Sequence, residues 1–409
     1  MKLKKIFTTL LVLLPILSLY FVPGTKFLFF EVIIIGLFPF MFFSILKRND
    51  IVNKILYYPL LIPLIYITLH FFVLIFIYST EINVNPILLR TLHNIFYLFT
   101  AIFFVKQYFD IEFGIKVLKI TAVVSSIYII AQSVLISTVG FYLPGTLPFI
   151  ETIVDKFNET AAATGVDIRP RSFFSEPSAY GVYIALYLII DLFSGKKRMK
   201  LDEFTPNIIA TIGLLLSRSS TSYLLGIAIW ASWGLNIYLR SPLRNKGKLL
   251  LVSVMIIPIL LYYVIQTRSF GIFVEHTFGS GNGTLGIGVM NRISNYNFAF
   301  SIEGISTFEI LFGQGMKDLE YYLPGIPRMY YYFGIVGSLI WCSIYIYIYC
   351  FSNWAQRRVL LLMIGISFFG DSLFGISYLI YFPFIITLVS NKSMVFDNKF
   401  KINKKVEYK

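Results

Sequence analysis

Residues Val32–Leu46 read VIIIGLFPFMFFSIL, an uncharged run in which polar and apolar positions do not alternate. A barrel strand alternates, so in a membrane the backbone of such a run is satisfied only as a helix. Working outward from it, comparable runs recur along all 409 residues, repeatedly exceeding the ~18–20 residues needed to cross hydrocarbon. The chain is 57% hydrophobic and only 14% charged, far from the balance of a soluble domain. The expected class is an all-α integral membrane protein with about 12 transmembrane helices. The spans fall near 6–22, 27–46, 55–78, 87–105, 117–139, 178–194, 205–217, 220–239, 249–266, 329–350, 358–370 and 373–390. Two of them, 205–217 and 358–370, are short and are candidates for broken or re-entrant helices. Met1–Leu17 resembles a signal peptide, but no small-residue cleavage pattern follows, so it reads as a retained first helix.

Charge orients the chain. With the N-terminus in the cytoplasm, 25 of the 35 lysines and arginines fall in inner segments, as the positive-inside rule requires. The net charge of +14 is then mostly a topology signal, favoured by anionic inner-leaflet lipid, and gives no argument for a nucleic-acid partner. One polytopic domain, residues 1–390, carries two large outer loops, 140–177 and 267–328, followed by a basic cytoplasmic tail, 391–409. Loops of this size are uncommon unless they work.

The outer cations differ in kind from the inner ones. Seven of ten are arginine: Arg90, Arg169, Arg171, Arg218, Arg268, Arg292 and Arg328. Lysine suffices for attraction to headgroups, whereas a planar guanidinium grips phosphate or carboxylate through two parallel hydrogen bonds. A plainer account is that these arginines pair with loop acids and hold the loops together.

Arg169–Ser178 (RPRSFFSEPS) sets two arginines and a glutamate directly before the apolar run Ala179–Phe193. Unpaired N–H groups and the dipole at a helix start favour anions. Ser175 is suited to cap that helix and Pro177 to its first turn; Glu176 is either part of the cap or a working carboxylate. In the second loop, residues 281–286 spell G-x-G-x-x-G, but no strand precedes them and the dinucleotide reading is rejected. Asn291-Arg292 then opens a stretch with Ile293, Tyr296 and Phe300 at helical spacing, expected as an amphipathic helix on the membrane surface. Leu311-Phe-Gly-Gln-Gly315 reads as a flexible turn. Within the apolar runs, Glu31, His70, Arg90, His93, Gln132, Arg218 and Asp371 stand out. Each costs ~2.5–3.5 kcal/mol at mid-bilayer on insertion scales, so each is expected to face the protein interior or a polar cavity. His70 and His93 read as satisfied core histidines. Cys342 and Cys350 are eight residues apart in one expected helix, too far for a disulfide, and read as packing residues. No metal-ligand spacing is present.

These pieces together resemble the Wzy-type O-antigen and capsular polysaccharide polymerases, within the O-antigen ligase/polymerase superfamily. Arg171-Ser-Phe-Phe-Ser-Glu-Pro-Ser178 is similar to that family's R-x-x-F-x-E-P motif, and Leu215-Leu-Ser-Arg-Ser219 to its L-S-R-S break. Asn291-Arg292, Leu311–Gly315 and Tyr332-Phe-Gly-Ile-Val-Gly337 resemble its second-loop region and the helix after it. The resemblance covers about residues 120–390. It implies a GT-C-like, metal-independent glycosyltransferase without cofactor, in the bacterial cytoplasmic membrane with both termini cytoplasmic. Such enzymes polymerise undecaprenyl-diphosphate-linked repeat units on the outer face. The implied partners are those lipid-linked glycans, membrane lipid and a chain-length regulator, and no nucleic acid. By motif, substrate arginines fall on Arg171, Arg169, Arg292 and Arg218; Arg268 and Arg328 join them on chemistry alone.

The residue chemistry is compatible with that transfer. Cleaving a sugar–diphosphate bond builds negative charge that fixed cations can stabilise, and the acceptor hydroxyl must lose a proton to a base. Glu176, Arg171 and Arg292 are the candidate catalytic residues, with Asp371 and His276 behind Glu176 as base. A ligase-like transferase shares the donor chemistry, and a lipid-linked oligosaccharide flippase is the rival of another class. The flippase needs charge along an internal path, whereas the unusual groups here concentrate outside.

Overall fold

A computed structural model describes residues 2–25, 27–46, 57–78, 84–147, 169–194, 201–240, 287–301, 305–317 and 323–388, with isolated positions 150, 152, 247, 262, 265, 266, 270, 271 and 274. Among these residues the chain is helical and has no strands, only the isolated bridges Tyr20–Thr152 and Phe21–Leu28. Helices occupy eleven of the twelve expected spans; 249–266 lies almost wholly outside the described residues, as does the tail 391–409. Five stretches are long and apolar enough to cross a bilayer: Tyr58–Phe76, Pro86–Tyr108, Ile111–Val139, Ser220–Leu239 and Gly325–Phe351. The protein is an all-α membrane protein.

The distribution of side chains says why. Exposed positions are as apolar as buried ones, with Phe76 88% exposed and Phe40, Leu339 and Phe351 also largely uncovered. Ser125, Ser126, Gln132, Asn207 and Ser222 are buried instead. Hydrocarbon on the outside accounts for both, because polar groups then find hydrogen bonds only within the bundle. Cys342 and Cys350 are exposed free thiols, so they face outward and are not packing residues.

The chain divides into two compact units. The first comprises Met1–Leu14, Phe30–Ile115 and Asn291–Lys409; the second comprises Pro15–Phe29 and Lys116–Met290.

In the first unit the helices are α1 (Lys2–Leu17, to Leu14), α2 (Phe29–Leu46), α3 (Leu61–Tyr78) and α4 (Val84–Thr100). A buried π turn, Ala101–Val105, extends α4. After the boundary come α9 (Ile287–Phe300, from Asn291), α10 (Thr307–Phe312), α11 (Gly325–Phe351), α12 (Trp354–Ile366) and α13 (Ser377–Thr387). α3 packs on α4, α13 on the π turn, and α10 on α11. Segments expected on the inner side meet at one end. Thr8 accepts the Asp110 N–H at 2.8 Å, and Asn353, which caps α12 in a reciprocal box with Gln356, reaches the Leu388 carbonyl at 2.8 Å.

α11 breaks at Gly334, where φ is 61° and ψ −161°. The break frees two helix carbonyls, and the Leu311–Gly315 turn uses them: Gln314 N–H donates to Tyr331 at 2.8 Å and Gly315 N–H to Tyr332 at 3.0 Å. Only glycines fit, since a Cβ on Gly334 would lie 2.5 Å from backbone atoms of Leu311 and Gly313. The expected flexible turn is thus docked backbone to backbone on the helix. His70 adds to this joint by donating from Nε2 to the Phe312 carbonyl at 2.6 Å.

The second unit holds α5 (Ile111–Val139, from Lys116), α6 (Pro177–Leu192), α7 (Leu201–Leu216) and α8 (Ser220–Arg240). α6 packs most closely on α8, where Gly181 lies against Ser222 with no room for a side chain; small residues let membrane helices approach this way. At the other end of α6, Phe204 stacks on Trp233 and both meet Trp230 edge to face, and Asn207 donates to the buried Asp191 at 2.8 Å.

Candidate functional site

In the second unit the motif around Arg171 forms a tightly bonded turn. Gln132 on α5 organises it, donating to the Leu143 carbonyl at 2.7 Å and accepting the Ser172 N–H at 2.9 Å. Arg171 is only 4% exposed. Its Nε donates to the Tyr142 hydroxyl at 3.1 Å, and Nη1 donates to the carbonyls of Phe174 at 3.0 Å and Ser175 at 3.3 Å. The guanidinium therefore holds the turn that leads into α6. Its immediate role in this conformation is positioning.

α6 starts at Pro177, with Glu176 and not Ser175 in the cap position. Proline drives its predecessor into extended backbone, and Glu176 sits at φ −150°, ψ 162°. Its carboxylate does not cap the helix. It is exposed and accepts a hydrogen bond from the Ser178 hydroxyl. Arg169 stands half-buried two residues before Arg171.

The expected break between α7 and α8 is present, and Arg218 lies in it, 8% exposed with φ 52°. Among the described residues the only non-glycine positions with positive φ are Ser172 and Arg218. Both fall within the arginine motifs. Left-handed backbone at such residues costs about 1–3 kcal/mol and gathers at functional sites. The two motifs share one end of the unit, for Ser222 in the first turn of α8 donates to the Pro177 carbonyl at 3.3 Å.

The first unit gathers a second set. Arg328, in the first turn of α11, forms an ion pair with Asp371, in the connection between α12 and α13. Their side chains are 17% and 26% exposed. Burial raises the Asp371 carboxyl above its ordinary range, while the Arg328 guanidinium pulls it down. Arg90 on α4 donates from Nη1 to the Lys317 carbonyl at 2.8 Å and to the Tyr332 hydroxyl at 3.3 Å. Tyr332 lies within electrostatic reach of Arg90, Arg328 and Asp371 alike. One turn along α4, Asn94 donates to Met316 and accepts the Gly375 N–H at 2.9 Å, tying α4 to the connection that carries Asp371.

Nearby in sequence, Tyr97 donates to the buried Glu31 at 2.5 Å, and His93 Nδ1 lies 3.8 Å from the same oxygen. Tyr97 thus satisfies Glu31 within the bundle, and the Phe312 carbonyl satisfies His70, whereas His93 approaches the same Glu31 oxygen without reaching hydrogen-bond distance. The stretch after Asn291-Arg292 is helical as expected, but the helix, α9, begins earlier, at Ile287, and contains that dipeptide. Its Phe300 stacks on Tyr330 at 4.9 Å and its Phe298 on Tyr331 at 5.8 Å, while Ile293 stays exposed.

Of the sequence candidates, Arg169, Arg171, Glu176 and Arg218 thus share one end of the second unit, and Arg328 and Asp371 meet in the first. Arg292 lies on α9, with its side chain outside the described residues; Arg268 and His276 also lie outside them. Arg90 and Tyr332 were not singled out as site residues. An available signal was the polar set Arg90, His93, Asn94 and Tyr97, whose i, i+3, i+4, i+7 spacing puts them on one face of an apolar helix. Set against family models, curated proteins and solved structures, the chain matches none.

Proposed function

We propose that this chain polymerises lipid-diphosphate-linked oligosaccharide repeat units into a surface polysaccharide by metal-independent glycosyl transfer on the outer face of a bacterial cytoplasmic membrane. Twelve spans and a GT-C-like arrangement belong to the same proposal. The observation that carries it is the grouping of arginines among the described residues: the motifs of Arg169, Arg171 and Arg218 meet in the second unit, and Arg90 and Arg328 gather around Tyr332 in the first. A sugar diphosphate is the ligand such groups suit, since the bond to be broken leaves its charge on phosphate oxygens.

Residue roles are part of the same proposal. Arg171 holds the turn before α6, and Arg169 and Arg218 supply cationic charge beside it. Glu176, exposed at the start of that helix, is the first candidate to take the acceptor hydroxyl's proton, with Asp371 the second. Arg90 and Arg328 supply cationic charge in the first unit. Arg292, Arg268 and His276 keep the roles their motif and chemistry suggest. The lipid-linked glycans and surrounding lipid are the partners of this reaction, together with a chain-length regulator.

A deletion strain tests the proposal through the composition of its lipid-linked pool. Single repeats accumulating on the carrier support polymerisation. Long lipid-linked polymer indicates a ligase-like transfer instead, and repeats retained on the inner leaflet indicate a flippase.

A further inference from the structure

The connection between α12 and α13 is pinned by hydrogen bonds other than the ion pair it carries. Gly325 N–H and Ile326 N–H, in the first turn of α11, donate to the carbonyls of Gly370 at 2.9 Å and Ser367 at 3.1 Å. Ser372 donates to the Met363 carbonyl at 2.6 Å, Ser377 to the Asp371 carbonyl at 3.3 Å, and Gly375 N–H to Asn94 at 2.9 Å. Five hydrogen bonds on both sides of residue 371 therefore fix its position. They also occupy the first N–H groups of α11, so the helix terminus itself offers nothing to an anion.

What remains available for exchange is the side-chain pair. Arg328 and Asp371 are mostly buried but reach solvent, at 17% and 26% exposure, so opening the pair is costly unless the incoming anion gives Arg328 equivalent oxygens. A carboxylate and a phosphate present the same paired oxygens to a guanidinium. Tyr332 accepts a hydrogen bond from Arg90 and lies within electrostatic reach of Arg328 and Asp371, so a second guanidinium belongs to the cluster that an anion with two phosphate groups would meet.

From this we infer that Asp371 is an internal counter-anion, holding Arg328 in the substrate-free state and displaced from it by an isoprenoid lipid diphosphate. The inference rests on the lipid-diphosphate reading above and adds a competitive step to it. Asp371 keeps Arg328 ordered while the site is empty, and the incoming diphosphate takes over that guanidinium without moving the pinned backbone. The exchange breaks no covalent bond; one anion replaces another on the same cation.

The sign of one mutant distinguishes this from a structural salt bridge. Purified full-length protein in lipid nanodiscs is titrated with farnesyl diphosphate, with farnesol as the uncharged control. Asp371→Asn and Asp371→Ala remove the competing charge and should bind farnesyl diphosphate roughly three- to tenfold more tightly than wild type. Arg328→Ala should bind it at least tenfold more weakly, with farnesol binding unchanged in all three. Unchanged or weaker binding in both Asp371 variants, with thermal stability near wild type, overturns the exchange while leaving the lipid-diphosphate reading intact. If Asp371→Asn is unstable, Asp371→Ala carries the comparison. Loss of fold in both identifies a structural salt bridge and also overturns the exchange. Wild-type protein that binds farnesyl diphosphate no better than farnesol overturns both.

Discussion

Replacing Gly334 by alanine isolates the joint between α11 and the Leu311–Gly315 turn. Two penalties combine. The backbone at φ 61°, ψ −161° belongs to a region that essentially only glycine occupies, which costs an alanine about 1–3 kcal/mol. The new Cβ would also lie 2.5 Å from backbone atoms of Gly313 and Leu311. Relieving that clash separates the turn from the helix and forfeits the hydrogen bonds of 2.8 and 3.0 Å to Tyr331 and Tyr332, at about 0.5–1.5 kcal/mol each. The sum is about 2–6 kcal/mol. Its effect is directional as well, because residues just beyond the turn supply the Lys317 carbonyl that Arg90 uses. Hydrogen exchange measured by mass spectrometry should show faster exchange at the Gln314 and Gly315 amides, and thermal unfolding should come several degrees earlier. Gly365→Ala is the control: nothing lies within 4 Å of a Cβ there, and alanine improves helix propensity. Wild-type protection at Gln314 and Gly315 in Gly334→Ala would refute the interlock.

Three further substitutions probe the second unit. Arg171→Lys keeps the charge but cannot bridge Tyr142 and two carbonyls together; transfer should fall at least tenfold, and the 140–177 loop should become more sensitive to protease. Arg218→Gly relieves a left-handed backbone, so thermal stability should change by no more than about 1–2 kcal/mol while polymer formation is lost; retained polymer would remove Arg218 from the site. Glu176→Gln preserves the extended backbone before Pro177 and should cut the transfer rate about 10²–10⁴-fold with substrate binding intact, if this carboxylate is the base. Unchanged polymer length and amount would shift that role to another group.

The helices were legible in sequence because hydrocarbon imposes one simple demand, internal satisfaction of every backbone group, and runs such as Val32–Leu46 meet it in one way. The breaks flanking Arg218 and Asp371 were legible too, since polar residues interrupt apolar runs there. The break inside α11 was not. Tyr332-Phe-Gly-Ile-Val-Gly337 reads as ordinary apolar helix, and Gly334 becomes necessary only once the turn from 311–315 lies against it. Arg171 shows the same limit. Its motif marked an arginine at a helix start, yet the partners that bury it are a tyrosine 29 positions earlier and a turn organised from α5. Arg90 was visible as an outer arginine, but its place beside Tyr332 depends on a separation of 242 residues, which no local pattern encodes.

The most direct test of metal-free transfer at arginine clusters uses purified full-length protein and a synthetic lipid-diphosphate repeat unit, with products resolved by length. A ladder of polymer that persists undiminished in excess EDTA is the expected result. A ladder abolished by EDTA and restored by a divalent cation would contradict it, as would purified, folded protein that makes no ladder.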